Sequence, residues 1–174
     1  MTSFNDFFGG LREEFESYEA IGVIREPKYH IPWPDGYGVY TLWQNNIAAE
    51  SLIYVGLTGK YRRGDDGKVN LNAGSFKKRT SRYTPYRFCE SAKKDPEDLR
   101  FSFRYGPKYS NAAEQGRCKH DLDAYRHTIP YREMIVVTFD LLKYQKYSPA
   151  LLESLILTEY FNDKQDLPPA NNEL

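Results

Sequence analysis

The sequence predicts an α/β fold: a small central mixed or antiparallel sheet led by a β-hairpin and flanked by helices, with an N-terminal helical arm and insertions. Three observations carry that expectation. Two strand-like runs, Gly38-Val39-Tyr40-Thr41-Leu42-Trp43 and Ser51-Leu52-Ile53-Tyr54-Val55-Gly56, are joined by a stretch that opens with the turn residues Gln44-Asn45-Asn46. The β-branched, apolar run Met134-Ile135-Val136-Val137-Thr138-Phe139 reads as a buried strand. After it, Ser148-Pro149 sets a capping residue and a first-turn proline at the head of an apolar helix.

The remaining elements follow in chain order. Phe4, Phe7, Phe8, Leu11, Phe15 and Tyr18 recur at helical spacing, so residues 4–20 are expected to form a helix, weakened by Gly9-Gly10. Pro27, Pro32, Pro34 and Gly36 mark a loop, with Trp33 as a local packing anchor. Residues 60–74 are polar and glycine-rich, and Gly64-Asp65-Asp66-Gly67 signals a turn within an inserted loop or small ribbon. Ser75 caps a helix running through Phe76-Lys77-Lys78-Arg79 to about Tyr83, with Pro85 as its disruptor. Residues 99–105 alternate like a strand, and 112–125 have helical character. In the last helix Leu151, Leu152, Leu155, Ile156 and Tyr160 are expected on one side. The expected organisation is an arm at 1–35 and a domain at 36–174, with insertions at 57–74 and 90–131.

Composition narrows the functional class. The chain has 174 residues with 40% hydrophobic and 28% charged side chains, which supports one domain with an ordinary core. No apolar run approaches the roughly 20 residues of a membrane span. The start lacks a basic and then apolar leader, and Cys89 and Cys118 fall in no paired spacing, so zinc, a disulfide framework and a membrane role are not expected. The expected location is cytoplasmic. A formal net charge of 0 conceals segregation. Residues 1–59 hold 3 basic and 8 acidic groups, 60–108 hold 14 and 6, and 109–174 hold 7 and 10. A basic middle is the footprint of a phosphate-binding face, although a solvated lysine-rich helix and loop explains it equally well. The 15 tyrosines suit base stacking or phosphate contacts, and a small tyrosine-rich sheet as readily.

Glu153 carries the first chemical signal. It lies between Leu152 and Leu155, close to the apolar side of the last helix, where an unpaired carboxylate is costly. A cation, a basic side chain or a capping role near the helix dipole each answers that cost.

Gly38-Val39-Tyr40 followed by Tyr54-Val55-Gly56 resembles the paired signature of the GIY-YIG nuclease superfamily, with valine replacing isoleucine in both halves. Arg79 on a helix after the second motif, Glu153 on a helix after the last strand, and Asn171 in a Pro-Pro-Ala-Asn tail follow in the family's order. The resemblance covers residues 36–56, 75–83 and 134–171. It implies hydrolysis of a DNA phosphodiester, which needs a nucleophilic water, charge compensation on the phosphorane and help for the leaving 3′-oxygen. Glu153 would hold one Mg²⁺ or Mn²⁺ per active site, and Mg²⁺ suits so sparse a ligand set. Arg79 would stabilise transition-state charge. Tyr40 would orient or deprotonate the water, and Tyr54 would bond phosphate or that water. A tyrosine base, ordinarily near pKa 10, needs neighbouring positive charge.

Two departures from the family pattern shape the expectation. Tyr83 stands where many members carry histidine four residues after the arginine, as it also does in some stand-alone type II restriction endonucleases whose tails resemble this one. The insertion before Arg79 leaves Arg82, four residues before Tyr86, as a rival arginine. His30, His120 and His127 show no ligand spacing, and His127 is the alternative source of the family's imidazole.

The leading expectation is a Mg²⁺-dependent, site-specific double-strand DNA endonuclease acting as a homodimer, whose two-fold axis matches a palindromic site. Arg62, Arg63, Lys77, Lys78, Arg82 and Arg87 are the expected phosphate contacts. Residues 1–35, 57–74 and 90–131 are the natural suppliers of base contacts and a dimer interface. The alternatives are a structure-selective repair, recombination or mobile-element nuclease, and a non-catalytic DNA-binding module on the same scaffold. Tyr40 and Tyr54 read equally as packing residues of a sheet, Arg79 as a solvated charge, and Asn171 as a tail residue.

Overall fold

The computed structural model describes residues 3–21, 23–25, 28–30, 34–72, 74–77, 100–104, 125–130, 133–142, 146–169 and 171. They form a mixed α/β structure around a four-stranded antiparallel sheet with two helices. The elements are α1 (Phe4–Glu14), β1 (Tyr18–Ile21), β2 (Val23–Arg25), β3 (Lys28–His30), β4 (Gly38–Gln44), β5 (Leu52–Thr58), β6 (Lys60–Arg63), β7 (Val69–Asn72), β8 (Arg100–Arg104), β9 (Tyr125–Pro130), β10 (Met134–Asp140) and α2 (Pro149–Lys164). The main sheet runs β1-β10-β4-β5, and β2-β3, β6-β7 and β8-β9 are separate antiparallel pairs. The expected hairpin is β4–β5, with Asn45 in the left-handed region (φ 67°) where the turn begins.

Alternation along the strands sorts the two faces of the sheet. Val39, Trp43, Val55, Ile135, Val137 and Phe139 belong to the main hydrophobic cluster, together with Phe4, Phe8, Leu11 and Phe15 from the N-terminal segment and Leu152, Ile156, Leu157 and Tyr160 from α2. Both helices therefore cover this one face. Phe8 meets Trp43 and Phe139 edge-on at 4.7 and 5.5 Å, and Tyr160 meets Phe4 edge-on at 5.3 Å. Such geometry suits ring quadrupoles and adds specificity to the burial. On the other face Tyr40, Leu42, Met134, Val136 and Thr138 are also screened from solvent.

Residues 4–21 of the N-terminal segment are built into the main core and sheet. Its helix packs into the main core, and β1 extends the main sheet, pairing Tyr18 with Thr138 and Ile21 with Ile135. The expected helix over 4–20 stops at Glu14 because the backbone turns left-handed at Glu16 (φ 46°). Ser17 N–H donates to the Arg12 carbonyl and Glu16 N–H to the Glu13 carbonyl, the paired bonds of a Schellman ending. Glycine usually marks that ending, and here glutamate occupies it, so the sequence carried no stop signal. Gly9 and Gly10, which argued against a helix, are helical, and a methyl group at either would meet open space. Gly9→Ala and Gly10→Ala are each expected to stabilise the protein by about 0.5–1 kcal/mol, read as a higher urea midpoint at unchanged slope.

The last helix begins as expected. The Ser148 hydroxyl accepts from Leu151 N–H at 3.2 Å, with Pro149 following. Its buried stripe is Pro149, Leu152, Ile156, Leu157 and Tyr160, while Leu151 is 55% exposed. The stripe is thus rotated from the expected one, because Leu157 rather than Leu151 supplies its flank. Residues 64–67 form the expected turn, closed by Gly67 N–H to the Gly64 carbonyl at 2.9 Å and Lys68 N–H to Asp66 Oδ1 at 3.0 Å. The strand expected at 99–105 is β8, and its partner β9 takes in Tyr125, which had been assigned to a helix. Helical backbone begins at Phe76, after Ser75. The rest of that expected helix, most of the one at 112–125, Trp33, Cys89 and Cys118 lie outside the described residues.

Candidate active site

The two motif tyrosines stand side by side. Register sets Tyr40 of β4 directly opposite Gly56 of β5, and Tyr54 two residues before Gly56 on the same face. The Tyr40 and Tyr54 ring centroids are 6.0 Å apart, with planes inclined at 47°. Both rings lean over Gly56. A β-carbon there would fall 2.7 Å from Tyr40 Oη and 2.5 Å from Tyr54 Cε1, separations that nonbonded atoms do not tolerate. The second motif's glycine is therefore the floor on which the pair rests. The first motif's glycine has a different task. Gly38 adopts φ 150°, and a β-carbon on it would lie 2.1 Å from the Phe139 carbonyl oxygen, so only glycine admits this close pairing with β10.

Burial separates the tyrosines. Tyr40 is 1% exposed, whereas Tyr54 is half-buried and so presents the solvent-accessible surface of the pair. Thr138 is the cross-strand neighbour of Tyr40 on its other side, and its buried hydroxyl has no hydrogen-bond partner among the described residues. Sequence reasoning passed over Thr138 because only strand register brings it beside Tyr40.

Asn171 is neither a loose tail residue nor an open side chain. It is 8% exposed, and its amide clamps the outer edge of β5. Oδ1 accepts from Val55 N–H at 2.9 Å, and Nδ2 donates to the Val55 carbonyl at 2.9 Å. One side chain thereby supplies both bonds that a neighbouring strand would give, and holds the residue next to Tyr54. The described geometry is that of a residue positioning the strand that carries Tyr54. Asn171→Ala is expected to lower stability by about 1–3 kcal/mol, visible as a reduced urea midpoint, since two buried backbone groups lose their partner. An unchanged midpoint would show that the clamp contributes nothing.

Glu153 lies in the second turn of α2, which packs chiefly against β5. Its neighbours at i−4, i+3 and i+4 are Pro149, Ile156 and Leu157, all buried, and Glu153 itself is half-buried. The carboxylate thus sits further inside the apolar stripe than the sequence suggested. Helix α2 lies on the sheet face opposite the tyrosine rings. Among the described residues no group of three or more His, Cys, Asp or Glu side chains forms a metal cage. Glu153 is the one carboxylate that a sparse Mg²⁺ site here would draw on, with water and phosphate oxygens completing the shell.

The basic residues are divided. Arg62 and Arg63 are exposed on β6, and the Arg63 guanidinium donates to the Gly67 carbonyl. Lys77 pairs with Asp35 at 2.5 Å on the surface. Lys78, Arg79, Arg82, Tyr83 and Arg87 lie outside the described residues, and His127 is described only as part of strand β9.

Comparison of the chain with protein-family models, with curated proteins and with solved structures returns no match. No helix among the described residues is long and apolar enough to cross a membrane.

Proposed function

We propose that this chain is a metal-dependent, site-specific double-strand DNA endonuclease of the GIY-YIG, restriction type. The observation that supports it best is the tyrosine pair. Two motif tyrosines from adjacent strands meet over a glycine whose missing side chain makes their meeting possible.

In this reading Tyr54, with its accessible surface, hydrogen-bonds the scissile phosphate or the attacking water. Tyr40, locked by burial, fixes the position of Tyr54 and aligns the water through its own hydroxyl, which lies beside Gly56. Holding reacting groups in one geometry removes much of the entropic part of a barrier. Glu153 would hold one Mg²⁺ or Mn²⁺, which when bound supplies charge neutralisation at the phosphate. With α2 and the tyrosine rings on opposite faces of the sheet, a phosphate served by both Glu153 and the tyrosines would lie across the outer edge of β5, alongside the Asn171 clamp. Arg79 is assigned the transition-state charge and Tyr83 the place of the family histidine, both by resemblance. Lys77, Arg63 and the basic residues of 78–87 are assigned to the DNA backbone. A homodimer places one such centre on each strand of a two-fold site.

Incubating the purified protein with phage DNA and Mg²⁺ tests the proposal. Discrete fragments are expected. Intact DNA after incubation with either Mg²⁺ or Mn²⁺, across duplexes of varied sequence and across branched substrates, would reject the nuclease reading.

A further inference from the structure

The β6–β7 ribbon displays two unlike faces. Residues directly opposite in an antiparallel pair share a face, and the register pairs Lys60 with Asn72, Tyr61 with Leu71, Arg62 with Asn70 and Arg63 with Val69. One face therefore carries Lys60, Arg62, Asn70 and Asn72, all exposed and all hydrogen-bond donors. The other face carries Tyr61, Arg63, Val69 and Leu71. Of these, Leu71 packs against the main core, whereas Tyr61 and Val69 are 53% and 56% exposed and Arg63 is exposed as well. The donor face is open to solvent along its whole length. The ribbon's acidic residues, Asp65 and Asp66, are confined to its tip, where Asp66 accepts from Lys68 N–H.

We infer that this ribbon enters the major groove of duplex DNA and that Arg62 and Asn70 read base edges there. The inference rests on the nuclease reading for its DNA partner and adds the element that confers site specificity. The major groove of B-form DNA admits a two-stranded ribbon, and arginine on guanine and asparagine on adenine are its standard bidentate pairings. Four residues per strand span about 13 Å, close to four base-pair steps. The donor face has no acidic side chain to oppose the phosphates on either side of the groove. A-form RNA offers a major groove too deep and narrow for such a ribbon, so DNA is the partner of choice.

The test is selection from a pool of duplexes randomised over a central window, with Ca²⁺ replacing Mg²⁺. The proteins compared are wild type, Arg62→Ala/Asn70→Ala and Arg62→Lys. Wild type is expected to enrich a motif. The double variant, one cation poorer, is expected to bind the unselected pool up to about 10-fold more weakly than wild type and, beyond that uniform loss, to lose about 10- to 100-fold of its preference at one or more base pairs. Arg62→Lys, which keeps the charge and loses the planar fork, is expected to lose preference at a guanine. Unaltered motifs in both variants would overturn the ribbon's role and leave the nuclease reading standing. Wild type that binds the pool without enriching any sequence would also overturn it, and wild type that binds no DNA would overturn both readings.

Discussion

Glu153→Gln is expected to slow DNA cleavage about a thousandfold while duplex affinity stays within a few-fold of wild type. The magnitude follows from the task assigned to the carboxylate. Charge neutralisation at a reacting phosphate is worth several kcal/mol, and about 4 kcal/mol corresponds to three decades in rate. Glutamine keeps the size of the side chain and an acceptor oxygen, so the buried stripe of Pro149, Leu152, Ile156 and Leu157 remains filled. A purely structural Glu153, held in an ion pair, predicts another pattern. Removing one partner of a partly buried pair lowers stability by more than a surface charge does, and activity would then fall only in step with the folded fraction. Cleavage rate and melting temperature on the same preparation separate the two. An unchanged rate would remove Glu153 from the mechanism.

Gly56→Ala is expected to cost about a hundredfold in cleavage rate with only modest destabilisation. The new methyl would overlap Tyr40 Oη, at 2.7 Å, and Tyr54 Cε1, at 2.5 Å. Tyr40 is enclosed and yields little, whereas half-buried Tyr54 yields by swinging outward. Overpacking of this kind typically costs about 1–3 kcal/mol, and each kcal/mol lowers the melting temperature of a chain this size by about 2–4 °C. Displacing a reacting group by about 1 Å is enough to lose a hundredfold in rate. A variant that melts several degrees lower yet cuts at the wild-type rate would show that the tyrosine pair is scaffolding.

The elements legible in the sequence are those whose signals are local. The β4–β5 hairpin, β10, the Ser148-Pro149 start of α2 and the Gly64–Gly67 turn each follow from a few adjacent residues, and the structure contains them all. Features set by tertiary context were not legible. Strand β1 was hidden because glutamate, not glycine, takes the left-handed position after α1. The rotation of the buried stripe on α2 depends on where β5 lies, and one residue type, leucine, occupies both its buried and its exposed positions. The motif tyrosines were visible as residue types, but their unequal burial and the floor beneath them depend on register. Asn171 shows the same limit most clearly. Its side chain bonds to a residue 116 positions away, and no local pattern records that.

End-group analysis of a cut plasmid tests the central claim most directly. Hydrolysis across the β5 edge with a departing 3′-oxygen predicts that wild type and Mg²⁺ linearise the plasmid, leaving 5′-phosphate and 3′-hydroxyl ends. Tyr54→Phe, folded to the same melting temperature, should give that product far more slowly. An uncut plasmid, or termini bearing 5′-hydroxyl and 3′-phosphate, would contradict the account.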